Sequence, residues 1–73
     1  MIRFRLKELL AEKAFNEKRR ITLSEVSEVT GIHRTTLSKI ANQPNYNTTT
    51  ENINLLCKYF NCTTCDLAEY IAE

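Results

Sequence analysis

Residues 22–43 read Thr22-Leu23-Ser24-Glu25-Val26-Ser27-Glu28-Val29-Thr30-Gly31-Ile32-His33-Arg34-Thr35-Thr36-Leu37-Ser38-Lys39-Ile40-Ala41-Asn42-Gln43, and this stretch decides the fold. Thr22 followed three residues later by Glu25 has the pattern of a capping box, so a helix opens there. Val26 and Val29 are its expected buried residues. Gly31, the single glycine of the chain, ends it, because a helix commonly stops on a residue with positive φ and glycine takes that conformation without a steric cost. A second short helix follows Ile32, with His33 near its cap, and runs through Leu37 and Ile40 to about Asn42. Ser27, small and four residues before the glycine, lets the two helices cross closely. Val26, Ile32, Leu37 and Ile40 then lock the pair together and onto a preceding helix. This is the spacing of a helix-turn-helix.

The outward residues of the later helix carry the chemistry. His33, Arg34, Thr35, Thr36, Ser38, Lys39, Asn42 and Gln43 can all form hydrogen bonds, and none is acidic. A solvated helix surface usually mixes both charges, as Lys7, Glu8, Glu12 and Lys13 do earlier in the chain. A face without carboxylates suits a polyanion: side chains of these types donate to phosphates and base edges, and acids would oppose them.

Working outward, a first helix spans about Arg5 to Lys18, with Leu6, Leu9, Leu10 and Ala14 on one face. Ile2, Phe4 and Leu6 alternate briefly, the mark of a short extended arm. Pro44 disfavours helix at Gln43, so Gln43 to Asn47 is a loop. Tyr46 in that loop either touches a phosphate or covers the core. A fourth helix starts in Thr48-Thr49-Thr50, with Thr48 and Glu51 set for a second capping box. Ile53, Leu56, Cys57 and Phe60 form its apolar face, and Asn61 is its left-handed stop. A fifth helix starts near Thr63, with Asp66 three residues on, and carries Leu67, Tyr70 and Ile71.

The chain has 73 residues, enough for one small domain, expected over residues 1–73, and too few to enclose a large cofactor pocket and keep a core. Its composition is that of an ordinary globular protein, 42% hydrophobic and 26% charged, which excludes disorder. No stretch approaches the roughly 18 apolar residues of a membrane span, and the N-terminus reaches no apolar run of a secretory leader. A cytoplasmic location with no membrane partner is expected. The net charge of +1 is unevenly spread. Residues 1–43 hold nine Lys/Arg and five Asp/Glu (+4), and residues 44–73 hold one Lys and four Asp/Glu (−3).

The three cysteines, Cys57, Cys62 and Cys65, are an odd number in a chain without a leader, which points to reduced thiols. Cys62-x2-Cys65 lacks the second ligand pair of a zinc site, so Cys57 and Cys62 are read as small buried apolar residues and no metal is expected. Cys65, on the first turn of a helix, keeps a redox role open. There is no Ser/His/Asp set, no glycine-rich phosphate loop and no carboxylate pair aimed at one pocket. An enzyme is not expected, nor a cofactor or small-molecule substrate.

From about Leu6 to Ile71 the sequence resembles the small Cro/C1-type (Xre-like) helix-turn-helix regulators. The matching residues are Leu6 to Lys13, Thr22 to Ala41 around Thr30-Gly31-Ile32, Leu55 to Cys62, and Asp66 to Ile71. The resemblance implies an all-α, five-helix, lambda-repressor-like DNA-binding domain whose third helix enters the major groove of double-stranded DNA. By position, His33, Arg34, Thr35, Thr36, Ser38 and Lys39 match the DNA-facing part of the motif. Two departures stand out. The family often has glutamine just after the cap of the second helix, where it contacts phosphate and braces a recognition-helix residue. Leu23 stands there and does neither, leaving Thr22 and Ser24 to replace part of that contact. Residues 15–20 also form a longer link than usual, and its Lys18-Arg19-Arg20 either reaches the DNA backbone or is simply solvated. One module reads only a few base pairs, so a homodimer is the expected working form. Leu67, Tyr70 and Ile71, or else the Ile2/Phe4 arm, are its candidate surface. The alternative is a protein-interaction module on the same fold with little DNA binding, a reading favoured by Leu23.

Overall fold

A computed structural model describes residues 1–72. In chain order it comprises a strand β1 (Ile2–Phe4), helices α1 (Leu6–Glu17), α2 (Leu23–Thr30), α3 (Arg34–Asn42), α4 (Thr50–Phe60) and α5 (Thr64–Leu67), and a strand β2 (Ala68–Tyr70). The fold is helical, with one small two-stranded sheet tying its ends together.

One residue from nearly every element makes the core. Phe4, Leu6, Val26, Ile32, Leu37, Ile40, Leu56 and Leu67 are buried, and Leu9, Leu10, Leu23, Ile53 and Phe60 pack partly against them. Val26 is fully enclosed, but Val29 is 66% exposed. It lies three residues on, about 60° round a short helix, and falls on the flank beside Leu55 and Tyr59 instead of entering the core.

Helix ends follow local chemistry. Thr22 caps α2, its Oγ1 accepting from the Glu25 N–H at 3.2 Å. The expected return bond from Glu25 is missing, because its carboxylate takes both Nη groups of Arg19, at 2.7 and 2.8 Å. A bidentate, charge-assisted pair is stronger than a bond to a neutral amide. Gly31 ends α2 at φ 80°, its N–H donating to Ser27 O at 2.9 Å. The cap of α4 is Thr49, one residue later than expected: its Oγ1 accepts from the Asn52 N–H, and Thr48 Oγ1 accepts from the Asn52 side chain. That register leaves Glu51 outside any capping box. Asn61 closes α4 in the left-handed region, at φ 52°. Lys18 closes α1 in the same way, at φ 55°.

The C-terminal segment departs most from expectation. Thr63 and Asp66 form a complete capping box, yet α5 is a single turn that stops at Leu67. Ala68 to Tyr70 leave the helix to pair antiparallel with β1, in the register Ile2↔Tyr70, Arg3↔Glu69 and Phe4↔Ala68. Arg5 N donates to Leu67 O at 2.6 Å and Ile71 N to Met1 O at 2.8 Å, extending the ladder at both ends. Arg3 adds ion pairs to Glu8 and, at 2.7 Å, to Glu69. These long-range bonds outweigh the helical spacing of Leu67, Tyr70 and Ile71. They also change the candidate dimer surface, since Leu67 and Phe4 are buried in the protomer. Ile2 and Tyr70, opposite each other in the ladder, remain exposed.

Candidate nucleic-acid interface

The turn at Gly31 sets α3 against α2, with Leu37 and Ile40 inward, Thr36, Ser38 and Ala41 half-buried, and Arg34, Thr35, Lys39 and Asn42 exposed. The N-cap of α3 is His33, whose Nδ1 accepts from the Thr35 N–H at 3.2 Å. One ring nitrogen is therefore committed to the helix start, and Nε2 is the atom left for an outside partner. Arg34 and Thr35, on the first turn, are exposed. Arg34 Nη1 donates to Ser24 Oγ of α2 at 3.3 Å, steadying a long side chain across the mouth of the motif.

Thr22, Leu23, Ser24, Arg34, Thr35 and Ser38 line one open depression between the first turns of α2 and α3. Five of these six are the residues expected from sequence to contact DNA. The sixth, Leu23, is half-buried and packs partly on the core. Further along α3, the Asn42 amide donates to Ser38 O at 2.9 Å. Lys39 Nζ sits 6.0 Å from the centre of the Tyr46 ring, a loose cation–π contact. Tyr46 itself is half-buried against the core, whereas Gln43 is exposed. Thr36 stands apart: it is half-buried, about 160° round the helix from Ser38, and does not line the depression.

Charge around this face is one-sided. Between Glu28 and Glu51 the chain has no acidic residue, while Arg34 and Lys39 lie within that span. The carboxylate-free surface thus extends past α3 through the loop to the first residue of α4. Asn45 holds that loop in place. It adopts φ 60°, accepts from Ile2 N–H through Oδ1 at 2.6 Å, and donates its own N–H to Ile2 O at 2.9 Å. Asn45 had no role in the sequence reading. Its signal was the Pro44-Asn45 pair, since asparagine tolerates the left-handed region in turns.

The basic cluster before α2 is partly spent inside the protein. Arg19 gives Nε to Glu17 at 2.9 Å and both Nη groups to Glu25. Glu25 first and Glu17 second hold the guanidinium above its ordinary pKa. Arg19 therefore works as a clamp between the α1–α2 link and α2, and of the three basic residues only Lys18 and Arg20 remain as candidates for phosphate contact. Both are exposed.

Cys57 lies in the last turn of α4, Cys62 just after it and Cys65 on α5. Cys57 and Cys62 are half-buried and Cys65 is exposed. Burial, with Cys57 adjacent, pushes the Cys62 thiol up to about 11, so it stays protonated and weakly nucleophilic near neutrality. Among the described residues no group of three or more His, Cys, Asp or Glu side chains could hold a metal ion. No helix among them is long and apolar enough to cross a membrane.

Residues 5–73 match the family model of the Cro/C1-type HTH DNA-binding domain. The chain belongs to that family. No curated protein matches it. Membership accounts for the geometry above: a Cro/C1-type domain is a DNA-binding domain, and its partner is DNA. In this Cro/C1-type domain the helix pair α2–α3 supplies an open depression whose lining holds no carboxylate, and Val26, Ile32, Leu37 and Ile40 tie that pair to the core.

Proposed function

We propose that this Cro/C1-type domain is a sequence-specific transcriptional regulator, one binding unit over residues 1–73, that inserts α3 into the major groove of double-stranded DNA. The observation that carries this reading is the acid-free depression where Arg34, braced by Ser24, meets Thr35 and Ser38. In this reading Arg34, Thr35 and Ser38 meet base edges. Thr22, Ser24, His33, Lys39, Asn42, Gln43 and Tyr46 hold the flanking phosphates, with Thr36 at the margin. Base contacts specify and phosphate contacts position. The major groove is the only groove that admits an α-helix and distinguishes all four base pairs.

The positive charge is modest, so one protomer gains little from phosphates alone. A homodimer placing two copies of α3 about 34 Å apart on a near-palindromic site supplies the missing affinity. Exposed Ile2 and Tyr70, on adjacent strands, are the residues left from the expected dimer surface.

Selection of bound duplexes from a random library tests this directly, and an enriched, near-symmetric site is the expected result. On that site, Arg34→Ala should weaken binding by about 1–3 kcal/mol, roughly five- to 150-fold, and Lys39→Ala should weaken binding to all sequences alike and lower the salt slope by about 1. Both side chains are exposed, so the melting temperature should hardly move. Intact affinity in the double variant would show that the assigned face is wrong.

A second reading, a protein-interaction module using the same face, is favoured by one observation: apolar Leu23 lines the depression where the family often has glutamine. Salt dependence separates the two. Binding through several phosphates falls steeply as salt rises, and absence of binding to any duplex at low salt would favour the protein partner.

A further inference from the structure

The depression between α2 and α3 is chemically divided. On one side stands the Arg34 guanidinium, planar, exposed and tethered at Nη1 to Ser24 Oγ at 3.3 Å. On the other stands Leu23, whose half-buried side chain is the only aliphatic one in the lining. Thr22, Thr35 and Ser38 complete the wall with hydroxyls. Leu23 cannot donate to a phosphate or brace Arg34 through a hydrogen bond. Leu23 packs partly on the core, and the part of its side chain that lines the mouth is best covered, when DNA binds, by an apolar group. In the major groove the apolar group available is the 5-methyl of a pyrimidine.

Resting on the major-groove reading above, we propose that this depression reads a 5-methylpyrimidine–guanine step, the methyl packing on Leu23 and Arg34 donating two bonds to O6 and N7 of the guanine. The two halves support each other. A guanidinium presents its donors in a fixed plane that matches the guanine edge, and Ser24 limits the orientations of that plane before binding. The methyl of the neighbouring pyrimidine fills the space beside it. Left uncovered, that space would keep water between Leu23 and the bases. Ser24 is thus a positioning residue for Arg34, and Leu23 determines specificity at the adjacent base. Thymine and 5-methylcytosine both offer the methyl. Thymine is present in any duplex, so it is the expected occupant.

The test uses the full chain and duplexes taken from the library selection. The enriched site should contain a T–G step. Replacing that thymine by uracil removes only the methyl and should weaken binding about fourfold, the worth of one buried methyl group. Replacing the guanine by 7-deazaguanine removes the N7 acceptor and should weaken binding about fivefold, the lower end of the value of a bidentate pair. Placing cytosine and then 5-methylcytosine at the thymine position shows whether the methyl alone restores affinity. In Leu23→Ala the thymine/uracil ratio should fall to one. The ratio is read within one variant, so a general loss of stability does not imitate the effect, and Leu23→Met should keep it. Ser24→Ala should reduce the penalty for 7-deazaguanine while leaving the thymine/uracil ratio in place. Equal affinity for thymine and uracil duplexes in the unmodified protein overturns the proposal and leaves the major-groove reading standing. Failure to enrich any duplex overturns both.

Discussion

Gly31 ends α2 and opens the turn into α3, and replacing it separates two physical causes. It sits at φ 80° and ψ 2°, where side chains of L-residues are disfavoured. A Cβ built there would meet no heavy atom within 4 Å. The cost of a substitution is therefore local backbone strain and not a clash with neighbours. Holding a residue with a Cβ in the left-handed region costs about 1–2 kcal/mol. Against that, the substituted chain loses less entropy on folding, worth about 0.4–1 kcal/mol. Gly31→Ala should then cost about 1 kcal/mol. Gly31→Asn should cost less, about 0.5 kcal/mol, because asparagine visits this region readily. Gly31→Val should cost about 2 kcal/mol or more, since branching at Cβ adds crowding. For a domain of this size 1 kcal/mol is about 4–8 °C in Tm, so the three variants should melt in the order Asn, Ala, Val, highest first. Urea melts followed by circular dichroism give the same order if the slopes are equal. Where folded, each should bind the selected duplex nearly as the parent does. If Asn costs as much as Val, φ is not the controlling variable, and the open space beside Gly31 is filled by something that restricts side-chain size.

Three further outcomes follow from the same geometry. The Arg3 guanidinium lowers the pKa of Glu8, Lys13 chiefly lowers that of Glu17, and Arg19 lowers that of Glu25. Folded values below unfolded ones mean that the unfolded chain takes up protons first. Tm should thus be flat at neutral pH and fall as pH drops through the carboxylate range, near 4.3 and below, with the gap between parent and Glu25→Gln closing there. In timed alkylation with iodoacetamide at pH 8, read by peptide mass, exposed Cys65 should react first and Cys62, held at about 11, last; equal rates in the native protein would refute this. Asn45→Ala loses the acceptor for Ile2 N–H and strains a residue at φ 60°, so it should cost about 1–2 kcal/mol in a urea melt, and Asn45→Gly should recover part of that.

What the sequence makes legible is what neighbouring residues decide among themselves. The stop at Gly31, the cap at Thr22, the left-handed turn at Asn61 and the inward pair Leu37 and Ile40 each depend on a few adjacent positions, and all four are present. The misreadings depend on partners far along the chain. Tyr70 and Ile71 have helical spacing after Leu67, and only residues 1–5 reveal that this segment is recruited into a ladder. Glu25 has the position of a capping residue, and only the fold brings Arg19 to its carboxylate. Val29 has the right period but lies beyond the width of a core that Val26 already fills. In the candidate site, the exposed, acid-free character of Arg34, Thr35 and Lys39 on α3 follows from their types and helical spacing. The partnership of Arg34 with Ser24 does not, because it crosses between two helices.

The internal ion pairs also shape how this domain can bind DNA. Arg3 and Arg19 are each shared between two carboxylates, and Lys13 is paired with Glu17. Cations that compose the positive front of the sequence are thereby turned toward holding the arm, the link and α2 in place. The exposed cations of α3 are Arg34 and Lys39, so in the proposed mode, even with Lys18 and Arg20 added, few phosphates are neutralised per protomer. Each phosphate contact contributes about 0.9 to the salt slope, so the several contacts of a dimer still give a clear salt dependence, while each protomer alone has weak non-specific attraction. Discrimination then rests on directional bonds and on contact with base edges, so the shape of the mouth between α2 and α3 matters more than the net charge. A strongly basic domain could tolerate a misplaced side chain there. In the proposed mode this one tolerates it less, which gives weight to the Arg34–Ser24 bond and to the turn at Gly31.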